Sequence, residues 1–288
     1  MRACKHDDLC LFTSGAGIAT PHPYVAVAKV GDVGTVGRRI VTGCYKVLVA
    51  GDGCKNETFG WRSSDFSNGL VLCQNPGKEL QSVDPEALLL AFHPRLLSAL
   101  PLQEVMDGYS FFRYSCDEAL YVSVAERSIC QNILAMVGKE LANGVDDMTA
   151  AIVCNMIELL LNYVARYYKR QFTLRNDVSP EEMQGIAHTI DAYLASGQAR
   201  NDGWPTAGYV AATTRHSVAY LCDLVKHCTG KTFANYVQLR SLQLAKEMLL
   251  GSQRPVADIA PFLGFCSVEC FRAAFKTITG CTPEQYRL

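Results

Sequence analysis

The sequence has no Cys-x-x-Cys, no His-x-His, no P-loop, no Gly-x-Gly-x-x-Gly and no Gly-x-Ser-x-Gly. Missing with them are the donor spacing of a structural zinc site, the loops that cradle phosphates and the turn that presents a serine nucleophile. His6, His22 and His93 are scattered through the first half, and Gly15-Ala16-Gly17 is too short a signal to use. No catalytic constellation, metal or cofactor is expected. The thirteen cysteines are odd in number and irregular in spacing, and neither Cys222…Cys228 nor Cys266-x-x-x-Cys270 has histidines beside it. They read as free thiols of a reducing cytosol.

No apolar leader opens the chain, since Asp7 and Asp8 come early. The most apolar stretch, Ile152 to Val164, is broken by Asn155, Glu158 and Asn162, so no membrane span and a cytoplasmic protein are expected. Net charge is −1, which excludes a polybasic chain as a whole. That charge is segregated. From Thr206 onward nine basic residues face five acidic ones, and the remainder carries the opposite imbalance. With 49% apolar and 19% charged residues the composition is that of a folded protein, and 288 residues give room for two domains.

Residues up to about 118 hold short β-favouring runs, Tyr24–Val30, Arg39–Ala50, Leu70–Gln74 and Leu88–Phe92. Gly51-Asp52-Gly53, Asn68-Gly69 and Asn75-Pro76-Gly77 lie between or beside them, and the pattern suggests a barrel or sandwich. From about 123 the period becomes helical. Val124, Ile129, Ile133, Leu134, Val137 and Leu141 mark one amphipathic helix, closing near Asn143-Gly144. Ile152, Met156, Leu159, Leu160, Tyr163 and Val164 mark a second after Asp146-Asp147, either a cover for the barrel or a dimer seam. Asn176 to Glu182 reads as a linker, giving domains 1–175 (barrel to about 118, helices about 123–170) and 176–288.

Residues 217–236 recur as 267–286: Ser217-Val218 answers Ser267-Val268, Lys226 answers Lys276, Thr229-Gly230 answers Thr279-Gly280, and Tyr236 answers Tyr286. Each copy reads as a short helix, a turn and a second helix. Helix-turn-helix units are expected at about 207–228 and 256–278, joined by a helix over 232–250. In that helix Tyr236, Leu239, Leu242, Ala245, Leu249 and Leu250 face a core. Gly264 suits a turn needing φ > 0, and Phe265, Phe271 and Phe275 supply a core wedge.

These stretches resemble the AraC/XylS family of bacterial transcription regulators. The resemblance is carried by Tyr236-Val237-Gln238-Leu239-Arg240, Leu244–Leu250, Val256-Ala257-Asp258-Ile259-Ala260, Gly264-Phe265, Phe275-Lys276, Thr279–Pro283 and Tyr286-Arg287. It covers roughly 205–288. Trp204-Pro205-Thr206, Cys222-Asp223-Leu224, Ala91–Leu97 and Ile157–Tyr163 are similar to a subgroup with a cupin-like sensor. The fold so implied is a two-domain α+β protein. An N-terminal cupin-like β-barrel with following amphipathic helices precedes a C-terminal all-α domain of two helix-turn-helix units and a linker helix.

The implied function is transcription regulation by binding double-stranded DNA in response to a small-molecule or protein effector. A homodimer through 147–170 and RNA polymerase are the further partners. DNA-facing candidates are Ser217, Val218, Ala219, Cys222 and Asp223 in the first unit and Ser267, Val268, Glu269, Arg272 and Ala273 in the second. Arg272, with Lys276 behind it, best suits a phosphate or guanine. The alternative for each is a solvated helix face. His93 either lines an effector pocket or serves structure. Asp223, Glu269, Ala273, Thr214 and Pro261 depart from the family pattern and weaken binding. They leave open a degenerate regulator that acts by heterodimerising.

Overall fold

Short runs of leucine and β-branched residues between turns become strands wherever both of their faces can be covered. The computed structural model describes residues 22–33, 43–51, 68–80, 84–98, 100–174 and 179–287. Its strands are β1 (Val25–Lys29), β2 (Tyr45–Ala50), β3 (Leu70–Gln74), β4 (Leu88–Phe92) and the two-residue β5 (Leu120–Tyr121). All neighbours are antiparallel, in the order β1-β4-β2-β3-β5. β1 and β5 end the row, so among the described residues the sheet is open where a barrel was expected. Arg39 to Thr42 of the second expected run lie outside the described residues, as does His6.

The stretch from Pro94 to Glu118 also corrects the β-rich expectation. Its described residues form helical turns, including α1 (Leu102–Val105). Pro94 and Pro101 lack the N–H that a ladder needs.

The sheet is buried on both sides. Ala26, Ala28, Leu48, Ala50, Leu70, Leu72, Leu89 and Ala91 alternate onto one face in a single apolar cluster. The other face meets α2 (Val124–Ala142), which packs on β1, β2 and β4 and beside α3 (Thr149–Leu174). Ser123 caps α2 in a reciprocal box with Glu126. Asp146 Oδ1 accepts from the amides of Met148 and Thr149 at the start of α3.

At the far end of α3, side chains seal the edge strand. Gln171 accepts from Tyr121 N (2.8 Å) and donates to Ala119 O (3.1 Å), while Arg170 donates to Tyr121 O (2.7 Å). By length and composition α3 is apolar enough to cross a membrane, against expectation. Its hydrogen bonds to β5 are those of a core helix.

The period of α3 is as expected, but its phase is not. The buried stripe is Val153, Cys154, Ile157, Leu160, Leu161, Val164, Tyr168 and Phe172. Of the expected stripe only Leu160 and Val164 are buried, Ile152, Met156 and Tyr163 are half-buried, and Leu159 is 49% exposed.

The chain divides into two compact units, Met1–Arg175 and Asn176–Leu288. In the second, α4 (Ser179–Ala195) begins inside the expected linker, because Pro180 fits a helix's first turn. After α5 (Ala199–Asp202) come α6 (Ala207–Thr214), α7 (Val218–Thr229), α8 (Phe233–Gly251), α9 (Val256–Phe262), α10 (Val268–Thr279) and α11 (Pro283–Tyr286). α8 packs on α4, α7, α9 and α11, and Arg240 on it forms an ion pair with Asp191 of α4.

Tyr236, Leu242, Ala245 and Leu249 of α8 are buried as expected. Leu239 is only half-buried, and Leu250 points outward, 67% exposed, its place taken by Val237 and Ser241. The second core is an aromatic file, Trp204–Phe265–Phe271–Phe275–Tyr286, with successive ring centroids 5.1 to 5.6 Å apart.

Candidate nucleic-acid interface

The second helices of the two expected units, α7 and α10, are built by one local recipe. Ser217 Oγ accepts from Tyr220 N (3.2 Å) to open α7, and Ser267 Oγ accepts from Cys270 N (3.1 Å) to open α10. After twelve helical residues each stops at a left-handed glycine, Gly230 (φ 68°) or Gly280 (φ 82°). Thr232 and Thr282 then cap the next helix. The repeat therefore encloses the second helix of each unit, its stop and the following start; the first helix of each unit lies outside it.

The turns that precede α7 and α10 differ by one residue. Phe265 N bonds to Ala260 O after the left-handed Gly264 (φ 81°), and His216 N bonds to Ala211 O after the left-handed Arg215 (φ 59°). Arg215 and Gly264 thus hold the same place. The capping serine follows two residues after Arg215 but three after Gly264. A fifty-residue offset conceals this, because it sets Gly264 against Thr214. Arg215, exposed and cationic beside the start of α7, is not among the residues expected from the sequence.

The expected residues are unequal in exposure. On α7 Val218 is 49% exposed, whereas Ser217, Ala219, Cys222 and Asp223 are half-buried. On α10 Glu269, Arg272, Ala273 and Lys276 are exposed, Ser267 is half-buried at its cap, and Val268 leans on the aromatic core. Lys226 and Lys276, equivalent in the repeat, both point outward in the last turn. Arg272 Nε donates to Glu284 Oε1 of α11 at 2.8 Å. Glu269 keeps its charge: its own amide, then the Ser267 hydroxyl and Arg272, hold the carboxyl below its usual range.

His93 lies elsewhere, in the sheet unit. Its Nδ1 accepts from Arg95 N (3.1 Å), capping the turn after β4, and its ring lies 6.0 Å from that of Tyr24.

A family model described as "Helix-turn-helix domain" matches residues 210–288. The chain is 35% identical over 78 residues to the regulatory protein SoxS of Escherichia coli K12, an overlap of 27% of this chain and 73% of SoxS. This chain belongs to the AraC/XylS family.

Two longer similarities reach beyond the helix-turn-helix region of this AraC-type chain. It is 25% identical over 227 residues to the RCS-specific HTH-type transcriptional activator RclR of E. coli K12, covering 76% of this chain and 75% of RclR. It is 24% identical over 173 residues to the probable transcriptional regulator LumQ of Photobacterium leiognathi, covering 58% of this chain and 62% of LumQ. The chain thus spans less than two thirds of LumQ's length. In this AraC-type unit Ser267, Gly280 and the aromatic file set the pose of α10, which carries Arg272 and Lys276 outward, while Arg215 and Lys226 are exposed at the start and end of α7.

Proposed function

We propose that the chain regulates transcription in the cytoplasm by binding double-stranded DNA on the nucleoid. In this reading α7 and α10 enter adjacent major-groove segments about 34 Å apart. The observation that carries it is the shared build of these two helices, each serine-capped, glycine-stopped and presenting a lysine at its end. Ser217, Val218, Ala219 and Cys222 line the first approach. Ser267, Val268, Glu269, Arg272 and Lys276 line the second, with Arg215 and Lys226 on phosphates.

The sheet unit is the regulatory half, and His93 is a residue of its turn rather than its pocket. Lys46 and Gln74 are cross-strand partners on the sheet's clustered face, wholly or nearly buried. Among the described residues the Gln74 amide has no hydrogen-bond partner. Such a pair favours an effector with a polar or anionic head. Effector control requires unequal affinity for the DNA-competent and incompetent states. A homodimer through 147–170 would use the outward side of α3, where Leu159 is exposed, together with the exposed Met148 just before the helix. RNA polymerase is the further partner of an activator.

A second reading, a regulator that pairs with an intact relative and binds DNA weakly, draws on Asp223, the bare Ala273 and the Arg272–Glu284 pair. Genome-fragment selection at low salt, followed by mobility shifts with wild type and Arg272→Ala, separates the two. A footprint over two adjacent grooves that weakens in the variant supports direct binding. No enrichment with folded protein favours the second reading.

A further inference from the structure

The outward face of α10 carries one group whose charge does not suit the DNA backbone. Glu269, Arg272, Ala273 and Lys276 are all exposed, and helical geometry gathers them within about 100° of the helix surface. Phe271 and Phe275 are buried on the opposite side. The pose of that face is fixed at three points. Ser267 caps the helix at Cys270 N, the left-handed Gly264 sets the turn before it, and the core anchors both phenylalanines. Glu269 therefore stands in the first turn, with Lys276 about 10.5 Å further along the axis. A second helix laid in a major groove brings its N-terminal residues to base edges. On such a helix Glu269 meets bases rather than phosphates.

What it can meet there follows from its chemistry. An ionised carboxylate accepts hydrogen bonds and donates none, and the Glu269 amide and Ser267 hydroxyl favour that form. Guanine turns only the acceptors N7 and O6 to the major groove, and thymine turns O4 and a methyl. Adenine offers N6 but sets the acceptor N7 beside it. Cytosine alone offers a donor, N4, with no acceptor next to it on the base. The equivalent place on α7 is Ala219, whose side chain neither donates nor accepts and suits at most a thymine methyl.

We infer that Glu269 selects cytosine at one position of the segment under α10, an assignment that rests on α10 being a groove-entering helix. The carboxylate accepts from cytosine N4 and rejects the other three bases by the acceptors they present. With Ala219 in its place, α7 makes no such demand. Two helices of one build thus read by unequal rules, and the operator is asymmetric: a cytosine is required in one groove segment and has no counterpart one DNA turn away.

Random duplexes are selected with the full-length protein and with Glu269→Gln and Glu269→Ala. Because Glu269 is exposed, both variants should keep the wild-type circular dichroism. Wild type should return an operator with one position fixed as cytosine, where each other base lowers affinity about five- to 150-fold. A glutamine amide donates and accepts, matching adenine N6 and N7, so Glu269→Gln should change that position alone to adenine. Glu269→Ala should accept all four bases there and leave the other positions unchanged. Methylating that cytosine at N4 replaces the groove-facing hydrogen and keeps the base pair. It should weaken wild type about as much as a mismatch and leave Glu269→Ala indifferent. Tighter binding of every sequence by both variants, with base preferences unchanged, would reduce Glu269 to a repeller of phosphate and overturn the assignment. Undiminished binding of the N4-methylated operator by wild type would overturn it as well. An operator selected without that cytosine removes the assignment alone. No operator selected by folded wild type removes α10 as a reading helix, and the assignment with it.

Discussion

Gly264 and Arg215 answer one backbone demand with opposite residues. A Cβ on Gly264 would stand 2.8 Å from Trp204 Cδ1 at φ 81°, while the Trp204 indole donates to Leu263 O at 2.8 Å and has little room to yield. Gly264→Ala should therefore cost roughly 2 kcal/mol or more in urea unfolding; a loss of a few tenths would mean the turn relaxes. Arg215→Gly removes the left-handed strain of a side chain that is exposed anyway, so stability should rise by a few tenths to about 1 kcal/mol. Gly264 was legible because a tight turn asks for glycine. Arg215 was not, because the two turns differ in length and the repeat register fails between them. Lys46 was illegible for another reason: a lysine at the start of a strand reads as solvent-facing, yet this one is fully buried and donates to Cys44 O (3.1 Å) and Lys78 O (2.9 Å). Burial lowers its pKa to about 8. Between that value and the ordinary 10.5 the unfolded chain binds more protons, so the Lys46 contribution to stability rises with pH across this window. Relative to Lys46→Met, wild type should gain up to about 3 kcal/mol from pH 7 to pH 10. Parallel unfolding curves at the two pH values would contradict a buried, charged Lys46.

Among the elements, α3 shows how a correct period can carry a wrong phase. Apolar residues surround most of the helix, so alternation alone cannot say which stripe meets the sheet. One polar residue marks the buried side: Gln171 shares a stripe with Ile157, Leu161, Val164 and Tyr168 and bonds to β5, which leaves Leu159 outward. A dimer through this face separates association from folding. Leu159→Asp should shift the chain from dimer to monomer in light scattering while its thermal midpoint stays within a few degrees. Ile157→Asp, on the buried stripe of the same helix, should unfold it. A monomeric wild type, or an unfolded Leu159→Asp, would remove α3 as the seam. In the second unit, phase was easier to read because Phe271 and Phe275 have one apolar side to go to and charged residues hold the other.

For the whole molecule, a net charge of −1 gives long-range attraction to DNA little help, so binding must come from the local surplus after Thr206. Part of that surplus is engaged internally, Arg272 with Glu284 and Arg240 with Asp191. An exposed ion pair is worth only about 0.2–1 kcal/mol, so Arg272 can exchange Glu284 for a phosphate at small cost. The two readings of the chain then diverge in their salt dependence. If α7 and α10 both engage DNA, the slope of log affinity against log salt should be several units. It should fall by about one in Arg272→Ala and again in Arg215→Gly, the variant that gains stability. Glu284→Gln should tighten binding by releasing Arg272, since the competitor for its guanidinium is gone. A slope near one that is indifferent to all three changes would leave these basic residues as a solvated face. The chain would then act through a partner that supplies the missing charge where Asp223 and Ala273 stand.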